Sequence, residues 1–238
     1  MTEATLKVFG DSARLADGVA AWLLDRAKAK TGSFAVCLSG GSTPKRLYER
    51  LAGVDNREKF PWPRTHWFWG DERFVPPDDP LSNFRMVRDA MLTHAPIPPE
   101  NIHPVPTTGM TPEAAAVAYE KTLQSFYGAR RLEPGRPLFD VTFLGLGPDG
   151  HTASLFPGTP ALRERERWAV AVIGAKAEAR ISLTYPALEA SADTAFLIEG
   201  AEKCEIFRRL RAGDPALPAS HLQPHGRLLY FADKAAAA

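Results

Sequence analysis

Short apolar runs rich in β-branched and aromatic residues alternate with segments of helical period along most of the chain, the pattern of a sheet with helices packed on its faces. The first run is Thr5 to Phe9. After it, Asp11 or Ser12 supplies an N-cap, and Leu15, Val19, Trp22 and Leu23 then fall on one helical stripe. Phe34 to Leu38 is apolar without alternation, as a parallel strand buried on both faces should be. Ser39-Gly40-Gly41-Ser42-Thr43 follows at once, and Pro44 suits the first turn of a helix. Thr65 to Trp69 reads as the next strand, Leu81 to Leu92 and Pro112 to Tyr127 as helices, and Phe139 to Leu144 as a further strand. Later strands are expected at Trp168 to Ile173, Ile181 to Thr184, Thr194 to Ile198 and Leu228 to Phe231.

Pro96 to Pro106 and Glu133-Pro134-Gly135-Arg136-Pro137 are loops, and neither divides regions of different composition. The expectation is one α/β domain over residues 1–238, a mostly parallel sheet with helices on both faces. No repeat is apparent, and Ala235 to Ala238 is expected to fray.

The chain has 238 residues, 45% hydrophobic and 24% charged, enough to bury a core without disulfides or metals. A formal net charge of +1 provides no global field for a nucleic-acid backbone or an anionic membrane, so any anion site must be local. The run Arg163-Glu164-Arg165-Glu166-Arg167 alternates in sign and reads as a solvated face without a function. Cys37 and Cys204 lack the spacing of a zinc or redox pair and are expected to be buried and reduced. The N-terminus has no signal pattern and no window reaches the roughly 18 apolar residues of a span, which makes the cytoplasm the default location.

Three segments carry chemistry, each after a strand, where a doubly wound sheet places ligands. In Ser39 to Thr43 the glycines admit an anion to the backbone, the hydroxyls donate, and the following helix offers free N–H groups. The loop matches neither the dinucleotide fingerprint nor the Walker loop. Gly70-Asp71-Glu72-Arg73 brings two carboxylates and a guanidinium to a strand end, suited to a polar substrate or to a plain surface turn. Gly145-Leu146-Gly147-Pro148-Asp149-Gly150-His151 delivers a histidine on a glycine-rich turn, and histidine alone titrates near neutrality when unperturbed, although a lone histidine is more often structural. The other five histidines, His66, His94, His103, His221 and His225, read as structural and form no metal-binding spacing. Arg180 and Lys203, taken alone, read as solvent-facing charges.

Taken in order, Leu38 to Pro44, Trp69 to Val75, Ser82-Asn83, Gly145 to Pro157, Arg180 to Thr184 and Gly200 to Lys203 resemble the 6-phosphogluconolactonase family, within a group that includes glucosamine-6-phosphate deaminase. The resemblance implies a modified Rossmann-like fold, no metal or organic cofactor, and a small sugar-phosphate lactone as partner, with no obligatory protein partner evident. It places His151 as the catalytic acid/base and the phosphate on Ser39, Gly40, Gly41, Ser42 and Thr43 with Arg180 and Lys203. Arg73 falls close to the substrate, and Asp71 and Asp149 orient His151 or bind hydroxyls. Backbone N–H groups near the Gly147 to Gly150 turn are expected to stabilise the oxyanion.

Within the group, deaminases typically continue the histidine motif with Asn-Glu-Pro, and this chain has Leu155-Phe156-Pro157. Phe156 has no acid/base capacity, and Arg73 stands where deaminases usually carry an aromatic residue, so both differences favour a lactonase over a deaminase or isomerase. A second alternative is the non-catalytic sugar-phosphate sensor of transcription regulators, which carries a DNA-binding unit; the first strand, beginning by Thr5, leaves it no room. One departure is Ala175-Lys176-Ala177-Glu178-Ala179, where lactonases often have Lys-Pro-Pro before the strand at Arg180; it makes Lys176 a candidate substitute.

Overall fold

The computed structural model describes residues 4–238, among which there are ten strands and seven α-helices. In chain order they are β1 (Thr5–Phe9), α1 (Ser12–Ala29), β2 (Phe34–Leu38), α2 (Ser42–Ala52), α3 (Val54–Arg57), β3 (Thr65–Trp69), β4 (Asp71–Arg73), α4 (Asn83–Val87) and β5 (Ile102–His103). Then follow α5 (Pro112–Tyr127), β6 (Phe139–Leu144), β7 (Ala169–Val172), β8 (Arg180–Leu183), α6 (Tyr185–Glu189), β9 (Ser191–Ile198), α7 (Cys204–Arg211) and β10 (Arg227–Asp233).

Asp11 caps α1 by accepting the Arg14 N–H at 2.8 Å, and the stripe Leu15, Val19 and Leu23 is fully buried. The expected helix at Leu81 begins two residues later, because the Ser82 hydroxyl takes the cap by accepting the Arg85 N–H at 3.1 Å. It runs on through a π-helical turn, Arg88–Leu92.

Seven strands form one parallel sheet in the order β1-β10-β9-β6-β2-β3-β5. Register puts Phe143 of β6 and Phe68 of β3 on opposite faces, since Val36 pairs Val141 and Trp67 while Cys37 pairs Thr142 and Phe68. Trp22 of α1 packs edge-on against Phe143, and Phe126 of α5 packs against Phe68, so helices cover both faces. From β2 the chain moves outward to β3 and β5; from β6 it moves the other way to β9 and β10. The order therefore reverses between β2 and β6, and a crevice opens at their carboxyl ends.

The strands expected near Trp168 and Ile181 do not join this sheet. They form a separate antiparallel sheet, β4-β8-β7, in which Arg73 faces Arg180. It is pinned where β3 ends, by the Leu183 N–H donating to the Gly70 carbonyl at 2.8 Å.

Three smaller expectations fail. Pro96 to Pro106 is not all loop, since Ile102–His103 within it forms β5 and pairs with β3. Ala235 to Ala238 does not fray: the Asp233 carboxylate accepts the Ala236 N–H at 2.8 Å, and Ala236 is buried. Cys204 is half-buried rather than buried, because it opens α7 at the surface beside Ala238. Among the described residues no helix is long and apolar enough to cross a membrane.

Candidate active site

The β2–β6 reversal sets Ser39-Gly40-Gly41 beside the Gly145 to His151 turn, and Gly70 carries the chain from β3 into β4 alongside them. Between them lies a cavity of about 290 Å³ lined by Ser39, Gly40, Gly41, Asp71, Arg73, His151 and Lys203, together with Asn83, Ala153 and residues of the Gly145 turn. Ser42, Thr43, Asp149 and Arg180 are not in its wall.

Asp149 stands behind His151, with its carboxylate hydrogen-bonded to the imidazole Nδ1 and accepting the His151 N–H at 3.2 Å. Burial alone would raise the Asp149 carboxyl; the hydrogen bond and charge of His151 outweigh it and hold the group below its ordinary value. An ionised Asp149 fixes the Nδ1–H tautomer and leaves Nε2 with its lone pair, the arrangement a general base needs. The ring packs against Phe156, centroids 4.5 Å apart. It also rests on Gly147, where a Cβ would come within 2.0 Å of Nδ1.

The turn itself corrects one expectation. The Gly147 N–H donates to the His151 carbonyl at 2.9 Å and the Gly150 N–H to the Gly147 carbonyl at 3.0 Å, so neither is free for an oxyanion. Thr152 closes the turn through its hydroxyl on the Gly145 carbonyl at 2.9 Å. Ala153, in the cavity wall, holds φ at 47°, a left-handed conformation that costs a non-glycine residue on the order of 1 kcal/mol or more.

Asp71 does not bond to His151. Its Oδ2 accepts the Ser154 hydroxyl at 2.6 Å, and its carbonyl accepts the Asn83 amide at 3.0 Å. Lys203 precedes α7 on a turn set by Gly200 at φ +93°, and its ammonium donates to the Leu146 carbonyl at 2.8 Å. Ser42 and Thr43 form the first turn of α2, whose cap residue Gly41, at φ 111°, offers no side chain to the amides.

Arg73 donates to the Leu81 carbonyl, and Arg180, directly across the antiparallel pair, is 12% exposed. Arg180 approaches Glu178 at 3.4 Å through Nη2, while its buried Nη1 has no partner. Burial, then the charge of Arg73, lowers the Arg180 pKa. Two adjacent guanidiniums with an unmet donor make a place where an anion is favourable.

Two residues outside the expected catalytic and phosphate-binding set hold the site's shape. Glu72 is buried and accepts the N–H groups of Arg73, Asn83 and Phe84, each at 2.7 Å, and the Ser82 hydroxyl at 3.2 Å. Burial pushes its carboxyl above the ordinary range, against the pull of those N–H bonds. The bonds clamp the start of α4 to β4 and seat the Asn83 carboxamide against Gly40, where a Cβ would lie 2.0 Å from Asn83 Oδ1. The only sequence signals were Ser82-Asn83 within the motif series and a second carboxylate beside Asp71.

Elsewhere, His66 Nδ1 and His103 Nε2 lie 3.1 Å apart at the sheet edge, with His103 stacked on Phe68 and Phe126 tilted against His66, and burial holds both below the ordinary value. They are structural, as expected. Among the described residues no group of three or more His, Cys, Asp or Glu side chains could hold a metal ion.

A parallel sheet with a cationic cavity and a His–Asp pair at its reversal point defines an α/β protein of Rossmann-like type. Residues 10–230 match the family model described as glucosamine-6-phosphate isomerases/6-phosphogluconolactonase. The chain is 45% identical to 6-phosphogluconolactonase of Nostoc sp. over 90% of this chain and 88% of that protein. To 6-phosphogluconolactonase of Synechocystis sp. it is 43% identical, over 90% of this chain and 87% of that protein. The crystal structure of 6-phosphogluconolactonase from Thermotoga maritima superposes with a TM-score of 0.83 at 30% identity, covering 98% of this chain and 100% of that one. The chain belongs to the glucosamine-6-phosphate isomerase/6-phosphogluconolactonase family.

Proposed function

We propose that this chain, acting as one domain, hydrolyses 6-phospho-D-glucono-1,5-lactone to 6-phospho-D-gluconate. The observation that carries the reading is the His151–Asp149 pair on a cationic cavity with Phe156, not a carboxylate, packed against the imidazole. An apolar ring there cannot relay the second proton that ring opening of an amino sugar requires. The relatives named 6-phosphogluconolactonase support the same choice.

In this reading the phosphate lies against the first-turn amides of α2, with Arg73, Arg180 and Lys203 as its cations. His151 Nε2 takes a proton from water as the oxygen attacks the lactone carbonyl. The bond from the carbonyl carbon to the ring oxygen then breaks, and His151 returns the proton to that oxygen. The Gly147 and Gly150 amides are engaged, so the developing oxyanion is left to other donors of the cavity wall.

The test is acid release from freshly made lactone, corrected for spontaneous hydrolysis, beside ammonia release from glucosamine 6-phosphate. Acid release alone is expected, and His151→Ala should lower its kcat about 10²- to 10⁴-fold. Ammonia release, or near-normal turnover in that variant, would overturn the reading.

A further inference from the structure

The arginine run that alternates in sign along the sequence acquires two more arginines in the fold. Arg130 and Arg131, after α5, meet Arg165, before β7, around a cavity of about 530 Å³ that shares no lining residue with the active site. Trp168, Leu132 and Pro186 complete its wall with Glu166. Trp168 is buried, with its N–H on Glu120 at 3.2 Å and its ring edge-on to Tyr127, so this wall is fixed.

Arg165 is held in place before any ligand arrives. Its Nη1 donates to the Leu162 and Glu164 carbonyls, both at 2.8 Å, and its guanidinium lies 5.1 Å over the Tyr185 ring. Sequence alternation would have Glu164 neutralise it. Instead the Glu164 carboxylate turns back to accept the N–H groups of Arg165, Glu166 and Arg167 at 2.8, 2.7 and 3.1 Å. Among the described residues none of Arg130, Arg131 and Arg165 enters an ion pair, whereas Arg136, Arg180 and Arg209 all do.

We propose that this cavity is a second anion site that binds a sugar phosphate, its phosphate on the three arginines and a sugar hydroxyl on Glu166. Guanidiniums that are not engaged in an ion pair at contact distance recognise phosphate oxygens through paired N–H bonds. Glu166 repels a bare polyanion and accepts from a hydroxyl, which favours a phosphate ester bearing hydroxyls over inorganic phosphate. The volume exceeds the 290 Å³ of the cavity proposed to hold a six-carbon phospholactone.

The experiment is an NMR titration of the intact protein with glucose 6-phosphate, read at the Trp168 indole and the side chains of Arg130, Arg131 and Arg165, so that binding at the active site is seen separately. Saturable shifts there are expected, with inorganic phosphate about tenfold weaker and glucose without effect. The double variant Arg130→Ala/Arg165→Ala should weaken binding at this site at least about tenfold while keeping the wild-type thermal midpoint. Glu166→Gln, a surface change, should tighten inorganic phosphate and remove the preference for the ester. Absence of saturable shifts, an unchanged titration in the double variant, or inorganic phosphate matching the ester would each overturn the proposal.

Discussion

Gly147→Ala is the sharpest test of how the histidine works. Gly147 does not adopt a left-handed φ, so alanine introduces no backbone strain; its whole effect is the added methyl. That methyl would lie 2.0 Å from His151 Nδ1 and 2.1 Å from Cε1, where ordinary contact begins at 3.4 Å. The imidazole must retreat by about 1.4 Å, a displacement of the order that costs about 10²-fold in rate, or about 2.7 kcal/mol of transition-state stabilisation. The cations proposed for the phosphate hydrogen-bond to the Leu146 and Leu81 carbonyls and not to the imidazole, so kcat should fall with little change in KM. Initial rates on fresh lactone measure this, with circular dichroism confirming the fold. In a His151→Ala background the same change should cost nothing further, because both act through one ring. Near-wild-type kcat in Gly147→Ala, or an equal loss in both backgrounds, would refute the idea that Gly147 exists to seat the imidazole.

Asp149→Asn can present an amide N–H to Nδ1 and force the proton onto Nε2; kcat on the lactone should fall on the order of 10²- to 10⁴-fold, and an unchanged kcat would remove Asp149 from the mechanism. Glu72→Ala leaves the N–H groups of Arg73, Asn83 and Phe84 without an acceptor, at about 1–3 kcal/mol for the buried Asn83 and less for the two part-buried ones, so its urea midpoint should drop well below that of Glu72→Gln, with KM rising as Asn83 loses its seat. His103 titrates at about 4 because burial, then His66, disfavours its cation. With the folded value below the ordinary 6.5, the unfolded chain binds the proton more readily, so this contribution to stability is complete above pH 6.5 and is lost as the pH falls toward 4. A plot of thermal midpoint against pH should therefore flatten over that window in His103→Asn, and parallel curves would contradict it.

Much of the fold was legible locally. The unbroken apolar run Phe34 to Leu38 could only be a strand covered on both faces, and the glycine turns after β2 and β6 announced where backbone must approach a ligand or a side chain. His151 stood out as a candidate because a glycine-rich turn after a strand presents a titratable ring, and its place in the motif series gave it the role proposed for it. These are properties of period, propensity and spacing, which a sequence carries directly.

Contacts between distant residues are not carried that way. Nothing local says that β4, β7 and β8 leave the main sheet, yet that departure puts Arg180 across from Arg73 and leaves its Nη1 unmet. The amides of the Gly147 turn looked available until the turn closed on itself. Asp71 and Asp149 are both carboxylates near a strand end, and only folding gave one to Ser154 and the other to His151. Glu72 was one of two carboxylates at a strand end, suited to a substrate or to a surface turn, until burial against three N–H groups made it a clamp. The sequence determined which elements form and which residue types reach the strand ends, because those follow from short-range sterics and hydrophobic period. The tertiary structure decided which of those groups meet, because hydrogen-bond partnership and desolvation depend on distances that only packing sets.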